Sequence, residues 1–275
     1  MSRLRESSPK GHCMNTSEPE LKSLFTAIEN SVVAEGKTLV PEVREVIDRV
    51  CADARMDESD DDLFHKLVLV VFYSGFRAAT VTAKREVILR HLGDWRRAKD
   101  FGPAEVSAVL ADQEMIANRA KVEACVHNAK QVALLSERHG SFAGYLKSFP
   151  LEELREELKD TFKFLGKVTV YHFMTDTGFD VLKPDRVVMR VFHRLGLVED
   201  LDRHEEAIEV GRKIAAAAGV PIRRVDRVVV AFGQVETKEF GLAHGICLET
   251  KPRCMACGVS ARCHQHQNLA APLGA

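Results

Sequence analysis

Four cysteines stand in one short stretch, Cys247, Cys254, Cys257 and Cys263, at the spacing C-x6-C-x2-C-x5-C. Thiolates joined by loops this short can close on one compact inorganic centre, and such a centre would lock a segment with little apolar sequence of its own. Three chemistries use clustered cysteines. Disulfides belong to oxidising compartments, and nothing in the sequence argues for one. Structural zinc usually takes two C-x2-C pairs separated by a longer finger, whereas the stretch holds one such pair. A cubane [4Fe-4S] centre held by four thiolates fits the spacing better. The remaining cysteines, Cys13, Cys51 and Cys125, read as small buried or incidental thiols.

A second constellation lies in the middle of the chain. Phe162-Lys-Phe-Leu-Gly166-Lys-Val-Thr reads as a helix end, a tight turn at Gly166 and a second helix; a turn at Gly178 follows, then a third helix starting at Asp185. A glycine turn between helices exposes backbone N–H groups at the start of the second helix, where they and the helix dipole can hold a phosphate. Lys163 and Lys167 flank the turn and add positive charge. An ordinary αα-hairpin with solvated lysines gives the same pattern. Asp185, at a helix start, is by itself a helix cap.

The elements that must position these groups are helical. Leu63, Leu67, Val70 and Val71 recur at helical spacing, as do Val122, Val126, Ala129 and Val132. Ser59 or Asp60 can cap the first of these helices. Pro103, Pro150 and Pro184 stand near helix starts, and the Ala-rich stretch from Glu205 ends at Gly219 with Pro221 behind it. The run Val228-Val229-Val230 is strand-like but adjoins helical sequence. No repeat of solenoid period occurs. An all-α fold follows.

The chain has 275 residues, 45% of them hydrophobic, enough for one large or two modest domains. No apolar run approaches the roughly 20 residues of a membrane span, and the polar N-terminus lacks the apolar core of a secretory signal. A cytoplasmic protein is expected. The net charge of −1 excludes binding to nucleic acid by bulk positive charge. Local segregation remains: acids gather from Asp57 to Asp62, and bases at Lys84-Arg85, Arg96-Arg97, Lys183 to Arg194 and Arg223-Arg224. This permits DNA binding without establishing it.

Against that background the cysteine tract, with His244-Gly245 before it and Lys251-Pro252-Arg253-Cys254 inside it, resembles the cluster loop of endonuclease III and its adenine-specific relatives. The central segment resembles the helix-hairpin-helix and aspartate signature of the same DNA glycosylase superfamily. The usual Leu-Pro-Gly-x-Gly turn is replaced by Phe-Lys-Phe-Leu-Gly, with only the second glycine kept. This form, the following Val-Tyr-x-Phe-Met, and the stretches from Ala79 through Lys84-Arg85 and from Ile116 through Arg119 and Lys121 to Asn128-Ala129 are similar to the 3-methyladenine DNA glycosylase I branch. The likeness covers residues 60 to 265.

The resemblance implies a base excision repair enzyme that flips a damaged (alkylated or otherwise modified) or mismatched base out of double-stranded DNA and cuts its bond to the sugar. Asp185, five residues before Arg190, matches the superfamily's catalytic aspartate; a carboxylate there stabilises the cationic sugar and orients the attacking water. Bifunctional relatives carry a lyase lysine where this chain has Val168. A monofunctional hydrolytic enzyme is therefore implied, with Lys167 as Schiff-base nucleophile if the register shifts by one. Lys163, Gly166, Lys167, Thr169, Arg186 and Arg190 are implied to contact DNA, with Met115 and Ile116 as the wedge and Arg119 beside it. Phe72, Tyr73, Phe76 and Arg77 fall at the base pocket. The acid with which the alkylpurine branch senses a cationic base falls near Val70, which is apolar, so 3-methyladenine itself is not implied.

The expected architecture is two helical lobes flanking a cleft. Residues 1–20 form a disordered tail, 58–182 a six-helix barrel carrying the hairpin, and 21–57 with 183–275 the iron–sulfur lobe. The protein is expected to act as a monomer at the nucleoid, and DNA would be held chiefly through phosphates. Two rivals stand beside this reading: a glycosylase and lyase of endonuclease III type, and a non-catalytic [4Fe-4S] module that binds DNA or senses redox state.

Overall fold

Apolar residues dominate the helix beyond Asp62, and the computed structural model, which describes residues 16–52 and 58–270, buries Leu63, Phe64 and every residue from Leu67 to Phe72. The described residues form fifteen α-helices and no strand. They divide into two units: the residues up to Ala52 together with those from Leu182 onward, and the continuous stretch between. The N-terminal residues 1–15, with Cys13, and Asp57 of the acidic run lie outside the described residues.

The continuous unit is built on α3 (Asp60–Tyr73). It also holds α4 (Ala78–Ala83), α5 (Arg85–Leu92), α6 (Trp95–Ala98), α7 (Pro103–Ala111), α8 (Arg119–His139), α9 (Phe142–Lys147), α10 (Leu151–Thr161) and α11 (Thr169–Asp176). Leu63, Phe64, Leu67, Val70, Val71 and Phe72 of α3 are fully buried, and α8 and α11 pack on this helix. Ser59 caps α3, accepting from the Asp62 amide at 3.1 Å. The acids beside it are put to structural use. Asp60 accepts from the amides of Phe142 and Ala143 at the start of α9 (2.9 and 3.0 Å), and Asp61 from the Trp95 indole at 2.9 Å. Pro103 opens α7, while Pro150 sits at the cap position before α10.

The discontinuous unit assembles α1 (Glu18–Gly36) and α2 (Val43–Ala52) with α12 (Arg186–Arg194), α13 (His204–Ala218), α14 (Ile222–Gly233) and α15 (His264–Ala270). The apolar face of α1, including Leu24, Phe25, Ile28 and Val32, packs against α13 and α14. Glu29 on α1 accepts from Arg224 of α14 (2.8 Å) and Arg44 of α2 (3.0 Å), and Arg224 also grips Asp48. This ties three helices with one buried acid. The run Val228-Val229-Val230 is helical, because Val228 and Val229 fill the buried face of α14. α13 ends on Gly219 at φ 68°, the left-handed cap that its sequence calls for.

Candidate active site and cysteine loop

Asp185 caps α12. Its Oδ1 accepts from the Val187 and Val188 amides at 2.9 and 3.1 Å, and its Oδ2 faces the Lys183 ammonium at 3.2 Å. The side chain keeps 25% of its surface exposed, so the cap leaves it reachable. Between the two residues Pro184 fixes φ, and the Asp185 amide donates to the Lys183 carbonyl at 2.8 Å in a tight bend. The Lys183 amide donates to Oδ1 of Asp226 on α14 at 2.7 Å. Asp226 is buried, which pushes its carboxyl up to about 6 against the pull of Lys183. Backbone and carboxylates thus hold Lys183-Pro184-Asp185 as a bracket. The sequence shows Lys183 only as the start of a basic run and gives Asp226 no role; the available signal was an acid set among the apolar positions of α14.

Arg186 is exposed, as a phosphate contact must be. Arg190 is not available for that role. Its guanidinium points inward and donates to the Gly233 carbonyl at 2.6 Å and, more weakly, to the Cys247 carbonyl at 3.4 Å. The expectation of DNA contact gives way to a tie between α12 and the cysteine loop. Burial holds its pKa below the usual arginine value.

The loop itself is pinned from two sides. Arg194, one turn beyond Arg190, donates to the Leu248 and Glu249 carbonyls (2.7 and 3.0 Å) and to Cys247 Sγ at 3.4 Å. From α1, Glu35 accepts from Arg253 at 2.5 Å and Ser31 Oγ accepts from the Gly258 amide at 2.9 Å. Gly245 passes so close to the Gln234 carbonyl that a Cβ would stand 2.0 Å from its oxygen, so only glycine fits. All four cysteines line one small shared cavity, together with Arg194, Ile246 and Pro252. Among the described residues, no three or more His, Cys, Asp or Glu side chains converge as ligands of a single metal ion. Burial raises the Cys247 thiol and pushes Cys257 up to about 11. Cys51 and Cys125 are buried elsewhere.

The hairpin belongs to the continuous unit. Asn128, fully buried on α8, clamps its backbone by accepting from the Lys163 amide at 2.9 Å and donating to the Lys163 carbonyl at 3.1 Å. Thr169 is spent inside the turn: its hydroxyl accepts from the Gly166 amide at 2.7 Å and donates to the Phe164 carbonyl at 2.6 Å. The Thr169 hydroxyl and the Gly166 amide are thus bonded to one another within the turn in this conformation. Phe164 takes φ 66°, a left-handed conformation that normally goes to glycine, at the place where the family turn has its first Gly. Lys163 and Lys167 are exposed. Beneath the turn Lys121, 3% exposed, donates to the carbonyls of Val71 and Ser74 (2.6 Å to the latter) at the end of α3, and its ammonium lies 4.6 Å from the Phe164 ring and 5.4 Å from the Phe76 ring. Burial lowers its pKa.

Of the residues expected at the base pocket, Phe72 is fully buried in the core of its unit, so its role is packing. Tyr73 is partly exposed, its hydroxyl 3.2 Å from that of Thr82 and its ring against His172; Phe76 and Arg77 are exposed. Met115 is 6% exposed and cannot serve as a wedge without leaving the core, which leaves Ile116 partly exposed beside it. Arg119 is exposed and pairs with Glu123 at 3.5 Å.

Comparison with known proteins bears on the fold. The family described as Methyladenine glycosylase matches residues 53–160, all within the continuous unit. The 8-oxoguanine glycosylase/lyase of Methanocaldococcus jannaschii, solved with a 15mer DNA containing 8-oxoguanine, is 17% identical; the match covers 75% of this chain and 95% of that one, with a TM-score of 0.52. The 8-oxoguanine DNA glycosylase of Thermotoga maritima is 19% identical over 73% of this chain and 95% of its own, at a TM-score of 0.50. A 3-methyladenine DNA glycosylase I from Staphylococcus aureus matches 44% of this chain and 77% of its own at 21% identity and a TM-score of 0.40. The chain has the all-helical fold of the two 8-oxoguanine glycosylases. Within that fold, its continuous unit carries the methyladenine glycosylase match.

Proposed function

We propose that this protein is a DNA N-glycosylase of base excision repair, which extrudes a damaged or mismatched base from duplex DNA and hydrolyses its bond to deoxyribose. The observation that carries this reading is Asp185, held by two α12 amides with a quarter of its side chain exposed, in a helical glycosylase fold. As the base departs, positive charge grows on the sugar. A carboxylate already oriented by the helix stabilises that charge without reorganising and can take a proton from the attacking water. The match of residues 53–160 supports a modified purine as the base class, and the apolar Val70 argues against 3-methyladenine as the particular one.

The cysteine loop is read as the holder of a [4Fe-4S] cluster bound by Cys247, Cys254, Cys257 and Cys263. Four thiols around one shared cavity suit a cubane, in which each sulfur binds its own iron. A single zinc would draw all four to about 2.3 Å from one point. The cluster, when bound, would supply strong bonds that fix a loop otherwise held by Arg194, Arg253 and Ser31. Iron analysis and the visible absorbance of purified protein test this part; protein without iron would end it.

The enzymatic reading is tested with duplexes each holding one alkylated, deaminated, oxidised or mismatched base, followed by alkali to cut at abasic sites. Wild-type protein is expected to release at least one base, and Asp185→Asn to abolish release while keeping its affinity for DNA. Release by Asp185→Asn at the wild-type rate would remove Asp185 from the chemistry. A panel with no excised base would favour a DNA-binding module without catalysis.

A further inference from the structure

The carboxylate at the start of α12 has a nucleophile beside it. Lys183 Nζ lies 3.2 Å from Asp185 Oδ2, and Asp185 is itself oriented by the Val187 and Val188 amides. A nucleophile within hydrogen-bond reach of a base that is held by a third group is the arrangement of covalent catalysis. The rest of the bracket keeps it in place. The Lys183 amide is bonded to Asp226, the next residue is Pro184, and the residue before a proline is confined to extended backbone. The lysine side chain is 19% exposed, so it is sheltered without being fully buried.

Charge gives a second reason. An ammonium beside Asp185 offsets part of the negative potential that would stabilise a cationic sugar, so a purely electrostatic Asp185 would work better without it. The same neighbour is useful if its amine reacts. Lys167, by contrast, is exposed on the hairpin in the other unit.

We propose that Lys183 is the nucleophile of an abasic-site lyase activity that follows base removal, an inference that rests on Asp185 facing the deoxyribose. Asp185 takes one proton from the Lys183 ammonium. The freed amine adds to C1′ of the open-chain abasic sugar, the carbonyl electron pair moves to its oxygen, and a proton passes from nitrogen to that oxygen. Asp185 returns its proton to the new hydroxyl, which leaves as water, and a protonated imine joins Nζ to C1′. The Asp185 carboxylate, again ionised, removes a C2′ proton; a C2′–C3′ double bond forms as the C3′–O bond breaks, and the 3′ phosphate leaves with the electron pair.

The test uses full-length protein and a duplex whose abasic site is made beforehand by enzymatic removal of uracil, so that no lesion need be known. With cyanoborohydride present, wild-type protein is expected to form a covalent adduct, mapped by peptide mass spectrometry to Lys183. Lys183→Ala and Lys183→Gln are expected to lose both the adduct and strand cleavage. Mapping on wild-type protein keeps the result decisive even if a variant folds poorly. No adduct, or one on Lys167 or another amine, overturns the proposal. Base release from the lesion panel without an adduct sinks the lyase and spares the glycosylase; an adduct on Lys183 without base release does the reverse.

Discussion

Lys121 in the continuous unit and Lys183 in the discontinuous one both turn their amines inward, yet their surroundings differ in kind. Lys121 donates to two carbonyls at the end of α3 and lies under two aromatic rings. Carbonyls and ring faces attract its charge but cannot take its proton, so this lysine serves as a helix cap and a prop for the hairpin. Lys183 faces a carboxylate, which can take a proton. Depth of burial therefore does not mark the reactive lysine. The chemistry of the acceptor does.

The contrast can be broken most forcefully at Lys121. Lys121→Met leaves two buried carbonyls without a donor, and a loss of roughly 2–5 kcal/mol is expected from denaturant melts. Lys183→Met, at a half-open site, should cost less than about 1 kcal/mol; equal losses would show that both lysines are structural. Next comes Asn128→Ala, which removes both clamps on Lys163 and should cost about 2 kcal/mol and weaken binding to abasic duplex. Unchanged affinity would detach the hairpin from DNA binding.

A smaller effect concerns pH. Burial raises the Asp226 carboxyl to about 6, so between the ordinary carboxylate range near 4 and that value the folded state binds the proton more tightly than the unfolded chain. Its contribution to stability is fully present at the acid end and is lost as pH rises through about 6, with Lys183, Asp185 and Arg227 as the charges that bear on it. Urea midpoints of Asp226→Asn should gain on wild type from pH 4 to pH 7; a constant difference would show that Asp226 does not titrate there. The smallest change expected is Phe164→Gly. It releases about 1 kcal/mol of left-handed strain and forfeits a ring contact to Lys121 of similar size, for a net shift within about 1 kcal/mol.

Local signals read true where the physics is local. Ser59 caps the helix it precedes, Gly219 closes α13 in the left-handed conformation, and the turn stands at Gly166 between two helices. The cysteine spacing marks a loop whose four sulfurs line one cavity. What escaped was set by partners far along the chain. Asp226 lies 43 residues from the amide it receives, and Asn128 lies 35 from the turn it clamps. Phe72 and Met115 are apolar whether they pack in a core or stack on a base, so composition could not separate these roles. Arg190 and Arg194 read as surface charge because the carbonyls that capture them, Gly233 at the end of α14 and Cys247 to Glu249 of the loop, lie more than 40 residues away. Phe164 in a glycine's conformation has no sequence signal at all.

The split of one unit across the chain has a consequence for biosynthesis. α1 emerges early with Leu24, Phe25, Ile28 and Val32 uncovered, and the helices that cover them, α13 and α14, follow only after the whole intervening unit. At roughly 5–20 residues per second, the ribosome needs about 10–40 s to make the ~200 residues between the end of α1 and the end of α14. During that interval the nascent chain carries a greasy, partnerless amphipathic segment at its front, a natural handhold for a chaperone.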